Sequence, residues 1–524
     1  MEMLQEPPKM MVPGAPTVII VGAGLAGLTL AILLEKAKIE YLIFEKASEV
    51  KPLGSTIALG PNVMPLFTQL GLFDDFVAIS RPVNHITIHK EKEDMRPIGK
   101  VDIEEHIEKS GYSSRVCSRP KLYDLLLSKI PPSKVHFGKR VLSIVHGDDH
   151  GALIRTADGK SYEADILVGA DGAYSAVRQS LYEQLKKEKV LPRSDQAKME
   201  VNHMTLVGLT GPMDPEKYPA LKEAEATSFS RADWVIGHGP YTWRYYSLPD
   251  NCIGWGFGTQ ILNEDLSKEN DTFRATEWGP ESAHVLCKEI RDYKIPIGGT
   301  IGDLIDNTSK DYISKVMLEE KLFETWYHGR TVLIGDACHK IMPYVGQGAV
   351  NAMEDAVILA NALYEVTSAT SKNIKNAFKE YRQLRYPHAA EQFQKSKLFT
   401  MLMVGQTWYE DLLRKVVLGY ASDFFQRRNY AKTLNYRPQA TFLPLIPDRG
   451  TIPILPQKPS VRYAAEQAAL AKQGARAESS LVSSHVETVV DTPAVVSGSS
   501  VEQAKEHKDQ DASVSPSSPN PVVV

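Results

Sequence analysis

Cysteine is scarce in this sequence and scattered where it occurs. Cys117, Cys252, Cys287 and Cys338 are the only four. They form neither a C-x-x-C pair nor a dense framework, which excludes a disulfide scaffold and points to a reducing compartment. An excess of basic charge is also lacking. The formal net charge is -4, so nothing calls for a nucleic-acid partner. No stretch reaches the roughly 18 consecutive apolar residues of a membrane span, and Leu398 to Val404 is too short for one. Residues 1–16 have no apolar centre like that of a signal peptide. A cytoplasmic protein is expected, with peripheral membrane contact left open. No internal repeat and no metal site is expected.

What is present is ordinary globular material, 43% hydrophobic and 24% charged, enough for a sizeable core. The organising stretch is Val18 to Glu45, VIIVGAGLAGLTLAILLEKAKIEYLIFE. An apolar β-branched run, Val18 to Val21, leads into Gly22-Ala23-Gly24-Leu25-Ala26-Gly27, the G-x-G-x-x-G pattern. A helical segment with Leu28, Ile32 and Glu35 at turn spacing follows, then a second apolar run, Tyr41 to Phe44, ending in Glu45 and Lys46. Each part has a physical reason. Gly22 lets the chain turn sharply off the strand, Gly24 lets a pyrophosphate approach the backbone, and Gly27 lets helix and strand pack closely. Free N–H groups at the helix start attract an anion. Glu45 stands where a carboxylate accepts hydrogen bonds from ribose hydroxyls, and it repels a 2′-phosphate. This predicts a dinucleotide here, NAD or FAD.

Two further strand-to-helix junctions follow. Ala164 to Gly169 reads as a buried strand before Asp171-Gly172-Ala173-Tyr174-Ser175; Asp171 either contacts a ligand or caps the next helix. Thr331 to Ile334 is another buried strand. It runs into Gly335-Asp336-Ala337-Cys338-His339-Lys340, then Pro343-Tyr344-Val345-Gly346-Gln347-Gly348-Ala349. The helix after it has Val350, Met353, Val357 and Ala360 on one face. Gly346 and Gly348 let a flat ligand lie on its entrance, where the partial positive charge stabilises an anion. Between these lie Gly54 to Ala58, small residues suited either to a flat ring or to a simple turn. Arg119 stands at a helix entrance, placed for a phosphate, a carbonyl or a surface salt bridge.

Residues 83–105 read as antiparallel hairpin material. Residues 200–300 concentrate aromatics, in Tyr241-Thr242-Trp243-Arg244-Tyr245-Tyr246 and Trp255-Gly256-Phe257-Gly258. They read as strands of a twisted antiparallel sheet, whose aromatics form a core or floor an apolar pocket. Tyr245, Arg244 and Tyr218 are the candidate catalytic residues, with sheet packing the alternative for each. His238 lies in the same region. Residues 370–433 read as amphipathic helix and 436–457 as Pro-rich and extended. From about 477 onward no periodicity remains, and disorder is expected.

The three anchors in order, GAGLAG with Glu45, GADGAYSAVR, and GDACHKIMPYVGQGAVNAMEDA, resemble those of the FAD-dependent single-component aromatic hydroxylases and epoxidases, the class A flavoprotein monooxygenases. The third is similar to the fungal secondary-metabolite branch. The resemblance covers about residues 17–400. It implies an α/β fold with α+β insertions: a Rossmann-like FAD-binding fold, an antiparallel-sheet substrate domain, C-terminal helices and a disordered tail. The implied division is a flexible arm, 1–16; FAD-binding segments, 17–82, 116–199 and 301–370; substrate-domain segments, 83–115 and 200–300; C-terminal helices and extended segment, 371–457; and a low-complexity tail, 458–524. It further implies that Gly22, Gly24, Leu25, Ala26, Gly27, Glu45 and Lys46 serve the adenosine diphosphate half of FAD. Arg119 would contact the diphosphate or ribityl region. Asp171 and Gly172 would serve FAD and NAD(P)H, and Asp336 the ribityl hydroxyls. Pro343, Gly346, Gly348 and Ala349 would face the flavin, with Gly54 and Ala58 beside its ring; Ala58 stands where the family often has glycine. NAD(P)H would reduce the flavin and O2 would supply one atom to a small apolar or aromatic substrate. No second G-x-G-x-x-G is present, so the nicotinamide would visit transiently. The competing expectations are an FAD reductase or dehydrogenase on the same fold, and a non-catalytic scaffold acting through the tail.

Overall fold

The apolar run at 18–21 is a buried strand, and the first glycine turn rises from its end. In this computed structural model the described residues are 16–49, 56–91, 94–146, 151–237, 241–261, 280–404, 408–416 and 433–473. Met1–Ala465 form one compact unit and Glu466–Val524 a second. Of the second, only 466–473 are described, so the expected arm at 1–16 and most of the expected tail lie outside the described residues.

A six-stranded sheet carries the first anchor. Its order is β18 (Tyr327–His328), β19 (Thr331–Leu333), β12 (Ile166–Gly169), β1 (Val18–Val21), β2 (Tyr41–Phe44) and β8 (Val135–His136). All neighbours are parallel except β18, an antiparallel edge. Strands covered on both faces read as unbroken apolar runs, and β1 and β12 are buried at every residue. The helices Leu25–Ala37 and Gly348–Tyr364 pack against each other within the same core. Leu28, Leu30, Leu33 and Leu34 of the first are fully buried, each stabilising the fold by about 1.5–3 kcal/mol. Because the three anchor strands β1, β12 and β19 are neighbours, the turns at their carboxyl ends converge.

The second large sheet has eight strands. Their order is β20 (His339–Lys340), β17 (Ser314–Leu322), β13 (Glu200–Leu209), β16 (Ile253–Gln260), β15 (Tyr241–Ser247), β14 (Ala232–Ile236), β5 (His85–Lys90) and β6 (Arg96–Asp102). All pairs are antiparallel except β14 with β5. The 83–105 hairpin thus joins the aromatic strands across some 130 residues of chain. β17 belongs to this sheet although it falls beyond the expected boundary at 300. Its charged, alternating sequence, SKVMLEEKL, suits a sheet with two different faces. Two three-stranded sheets complete the strands: β3 (Thr56–Leu59), β7 (Ser114–Ser118) and β4 (Ser80–Val83); and β9 (Val141–His146), β10 (Ala152–Thr156) and β11 (Ser161–Ala164).

A 34-residue helix, Ser371–Val404, follows the Gly348 helix. The Pro-rich segment after it is fastened back onto the core. Arg437, 1% exposed, donates to the carbonyls of Ser110 and Ile452, each at 2.7 Å, and pairs with Asp448 at 2.9 Å. Asn62 donates to the carbonyls of Thr433 and Tyr436.

Candidate functional site

The first glycine turn is shaped by close approach. Gly22 has φ +104°, and a Cβ there would sit 2.4 Å from the Ala170 carbonyl oxygen. A Cβ on Gly27 would sit 2.1 Å from the Gly22 carbonyl oxygen. Neither lines a cavity; they lock β1, β12 and the helix together. Gly24, the residue capping the helix, meets no atom within 4 Å of such a Cβ. It opens onto a cavity of about 1030 Å³, as do Leu25, Ala26 and Lys46, a size at or above the upper end of ordinary ligand pockets, roughly 300–1,000 Å³. Glu45 stands behind them. Its carboxylate accepts from the Ala23 and Ala47 backbone N–H groups, each at 2.9 Å, which fixes the loop and leaves lone pairs for a further donor. Gly54 lies outside the described residues.

The other two anchors open onto the same cavity. Asp171, Gly172, Asp336, Lys340, Pro343, Gly346, Gly348 and Ala349 all line it, with Arg119 and Ala58. Asp336 is held below the ordinary carboxylate range. Burial opposes its ionisation, but Lys340, with Nζ 2.6 Å from Oδ2, and the charges of His339 and Arg119 outweigh it. The Arg119 guanidinium is lowered by its surroundings, with Asp336 acting against that; the side chain is exposed and lines the cavity. Burial raises the Asp171 carboxyl, against hydrogen bonds from Ser175 and Val177. Its Oδ2 accepts from Val177 N–H at 3.2 Å, which is the helix-capping role, while Oδ1 is buried without a partner. The helix-capping reading of Asp171 is thus seen directly, and its second oxygen stays available at the cavity.

Two helix starts, at Leu25 and at Gly348, thus face one cavity. Gly24, Gly172 and Gly348 each face open space, and one buried carboxylate oxygen lacks a donor. These features fit a long anionic dinucleotide with hydroxyl groups along its middle.

Beneath the Gly348 helix lies a buried ion network. His339 is 2.6 Å from Asp355 Oδ2, which also accepts from Gly335 N–H at 2.8 Å. Arg385 donates from Nε to Asp355 Oδ1 at 2.8 Å and from Nη2 to Asn351 Oδ1 at 2.9 Å. Burial raises Asp355, but His339 and Arg385 bring it below its ordinary value. His339 therefore binds the third anchor to its helix and does not line the cavity.

The far end of the cavity rests on the eight-stranded sheet. Alternate residues of a strand point to opposite faces, and this sorts the catalytic candidates. On β15, Arg244 and Tyr246 line the cavity. Tyr245 and Trp243 point into the core behind, with Leu206, Trp255 and Phe257. Tyr245 donates to Asp233 Oδ2 at 2.5 Å, a carboxylate that His89 at 2.7 Å and Arg231 at 2.8 Å also hold. Tyr218 is 2% exposed in the same core. The expected catalytic Tyr245 and Tyr218 are thus corrected to packing residues on the face away from the cavity. Only Arg244 reaches it. Among the described residues Arg244 makes no hydrogen bond or ion pair; its guanidinium carbon lies 5.4 Å from the centroid of the Tyr344 ring.

Sequence reasoning missed the reason for the glycines of β16. Gly254, Gly256 and Gly258 share the cavity face and sit opposite Tyr246, Arg244 and Thr242 in register. A Cβ on Gly256 would lie 3.5 Å from the Arg244 guanidinium carbon, and one on Gly258 would lie 3.1 Å from the Tyr344 hydroxyl. The G-W-G-F-G stretch is a trough roofed by Arg244 and Tyr344. Its signal was a period of two, the period of a strand. Trp234, Tyr246 and Tyr344 also line the cavity.

Fold and cavity together define a dinucleotide-binding protein whose nucleotide end continues into an apolar chamber. A family model described as an FAD binding domain matches residues 16–218 and 300–396. The chain is similar to the FAD-dependent monooxygenase paxM of Penicillium paxilli, 32% identical over 418 residues covering 78% of this chain and 83% of that one. It is likewise similar to ptmM of Penicillium ochrochloron, 30% identical over 419 residues, with 78% and 93% covered. Among solved structures, Klebsiella pneumoniae HpxO complexed with FAD and uric acid has a TM-score of 0.65 at 20% identity, covering 82% of this chain and 99% of that one. That likeness speaks for the fold. The chain belongs to the FAD binding domain family: it is an FAD-dependent monooxygenase of the class A flavoprotein type, in the fungal secondary-metabolite branch. The reductase reading is not favoured.

Proposed function

We propose that the cavity holds FAD along its length and an apolar or aromatic small molecule at its sheet end, and that this molecule is hydroxylated or epoxidised. Bound FAD supplies electron transfer from NAD(P)H and the activation of O2. Gly24, Leu25, Ala26 and Lys46 cradle the nucleotide, with Glu45 behind them for the ribose. Arg119, Asp171 and Asp336 hold the diphosphate and ribityl middle. Ala58, Pro343 and Gly346 to Ala349 would meet the ring, with the partial positive charge of the helix start facing it. The division into FAD-binding and substrate segments is part of this reading, with β17 added to the substrate sheet.

The observation that carries the proposal is the joining of two helix starts to one cavity whose other end is lined by Ile86, Val101, Trp234, Phe399 and Leu402. That apolar end excludes water from the reacting centre. Arg244 is a cation on the sheet floor, placed to orient an oxygen of the substrate. Among the described residues no helix is long and apolar enough to cross a membrane, and the cytoplasmic assignment is part of the proposal. The test is to purify the protein with FAD, reduce it anaerobically with NADPH or NADH, and admit 18O2 with candidate substrates. One labelled oxygen in the product is expected. A colourless protein that cannot be loaded with FAD would overturn the cofactor site, and consumption of NAD(P)H yielding only peroxide across a broad panel would count against the substrate class.

A further inference from the structure

A second cavity of about 250 Å³ lies beside the first. It is lined by Asn202, His203, Gln260, Glu320, Lys397 and Glu410, among others, and shares Leu318 with the main cavity. Its position follows from register. His203 of β13 faces Leu318 of β17 on one side and Gln260 of β16 on the other. Glu320, two residues beyond Leu318, lies on the same face, at a diagonal separation of about 7 Å. The helix Ser371–Val404 brings Lys397 over it, with Nζ 3.4 Å from Glu320 Oε1. Tyr344 lines the main cavity, and its ring stands nearly perpendicular to that of His203, at 6.3 Å between centroids.

Two polar atoms of residues lining this chamber are buried without a hydrogen-bond partner: His203 Nδ1 and Glu320 Oε2. A buried polar atom left unpaired is costly, so two such atoms at one space call for a hydrogen-bonding occupant. Water meets the need: the space holds several molecules, each with the two to four polar neighbours that ordered water takes.

We propose that this chamber is a water-filled proton supply, in which Glu320 and His203 pass solvent protons to the Tyr344 edge of the main cavity. The inference rests on the monooxygenase reading. NAD(P)H, H⁺, O2 and substrate give NAD(P)⁺, water and oxygenated substrate, so each turnover takes one proton from solvent. The apolar end of the main cavity is poorly suited to admit bulk water for this purpose. Glu320 gives its proton to a chamber water and regains one from solvent. His203 takes a proton on one ring nitrogen and releases one from the other. Burial raises the Glu320 carboxyl, against the charge and hydrogen bond of Lys397, and Glu200 of the neighbouring strand raises it further. Burial lowers His203 to about 4, so its ring is neutral at pH 7 and able to accept. Glu410 faces the chamber from the helix Trp408–Lys415, and Gln260 from β16; neither the sheet nor the helices add another charge to its lining.

The test has two arms on the FAD-loaded enzyme. First, a high-resolution crystal structure is expected to show ordered water joining Glu320 Oε2 to His203 Nδ1; a dry chamber would overturn the proposal whatever the kinetics. Second, Glu320→Gln and His203→Asn are compared with wild type in anaerobic flavin reduction by NADPH and in oxygen-dependent turnover from pH 6 to 9. Reduction is expected to change by less than about twofold. Turnover is expected to fall about tenfold or more, with recovery in Glu320→Asp. Profiles that overlie wild type would overturn the relay. Failure of NAD(P)H to reduce the wild-type flavin would instead strike the function proposed above, and the crystallographic arm would still decide whether the chamber is wet.

Discussion

The two ends of the main cavity are built on different principles. The nucleotide end is made of backbone: turns at the carboxyl ends of three adjacent parallel strands, where Gly22 and Gly27 leave no room for a side chain and Gly24, Gly172 and Gly348 leave the cavity open. The substrate end is made of side chains presented by alternate residues of a two-faced sheet. A site made of backbone constrains which residues stand next to each other in sequence. A site made of alternate side chains constrains only parity along each strand, and any one-residue slip in register exchanges the whole set.

Five measurements would break or sharpen this contrast. The largest effect is expected at the Arg385–Asp355 pair behind the nucleotide end. Arg385→Met leaves Asp355 fully buried with one of its two charged partners gone, a loss of about 3–5 kcal/mol, read as a fall in the denaturation midpoint together with FAD content. Gly22→Ala follows. Its Cβ would overlap the Ala170 carbonyl at a backbone angle that disfavours side chains, costing on the order of 3 kcal/mol. Retained flavin and unchanged stability would show that this turn tolerates a side chain after all.

Asp336→Ala removes a carboxylate from the cavity without touching the core, and FAD affinity is expected to fall roughly ten- to a hundredfold with little change in stability. A flavin titration monitored by fluorescence checks it. The two faces of β15 are separated next. Tyr245→Phe removes one of three donors from buried Asp233, costing about 1–2 kcal/mol of stability and leaving product formation unchanged. Arg244→Leu is expected to do the reverse, keeping stability while the ratio of product to peroxide drops. If both variants changed coupling alike, the face assignment would be wrong.

The smallest effect is the acid limb. Burial holds His106 and His203 neutral down to about 4, against about 6.5 in an unfolded chain. Between these values the unfolded chain binds more protons, so stability is full above about pH 6.5 and falls as pH drops toward 4. His203→Asn should flatten part of that slope in a thermal-melt series.

Much of the nucleotide end was legible. G-A-G-L-A-G, Glu45, Asp171 and the G-D…G-Q-G stretch were read in order, and the three strands beneath them were recognised as buried. The substrate end was legible only as material. The aromatic run on β15 was read as strand, yet Tyr245 was taken for a catalytic residue where Arg244 and Tyr246 hold the cavity face. The glycines of β16 were noticed for failing a nucleotide motif, when their spacing of two was already the answer. The place of β17 in the eight-stranded sheet was not legible locally, because its pairing partner β13 lies about 110 residues earlier.

By itself the sequence determined the dinucleotide turn, because a tight turn, a close backbone approach and a helix start each demand particular residues at adjacent positions. Tertiary structure alone decided which face of each strand meets the main cavity, and that His203 and Glu320 line one chamber. Those depend on register and crossing between distant segments, and no local preference in the chain encodes them.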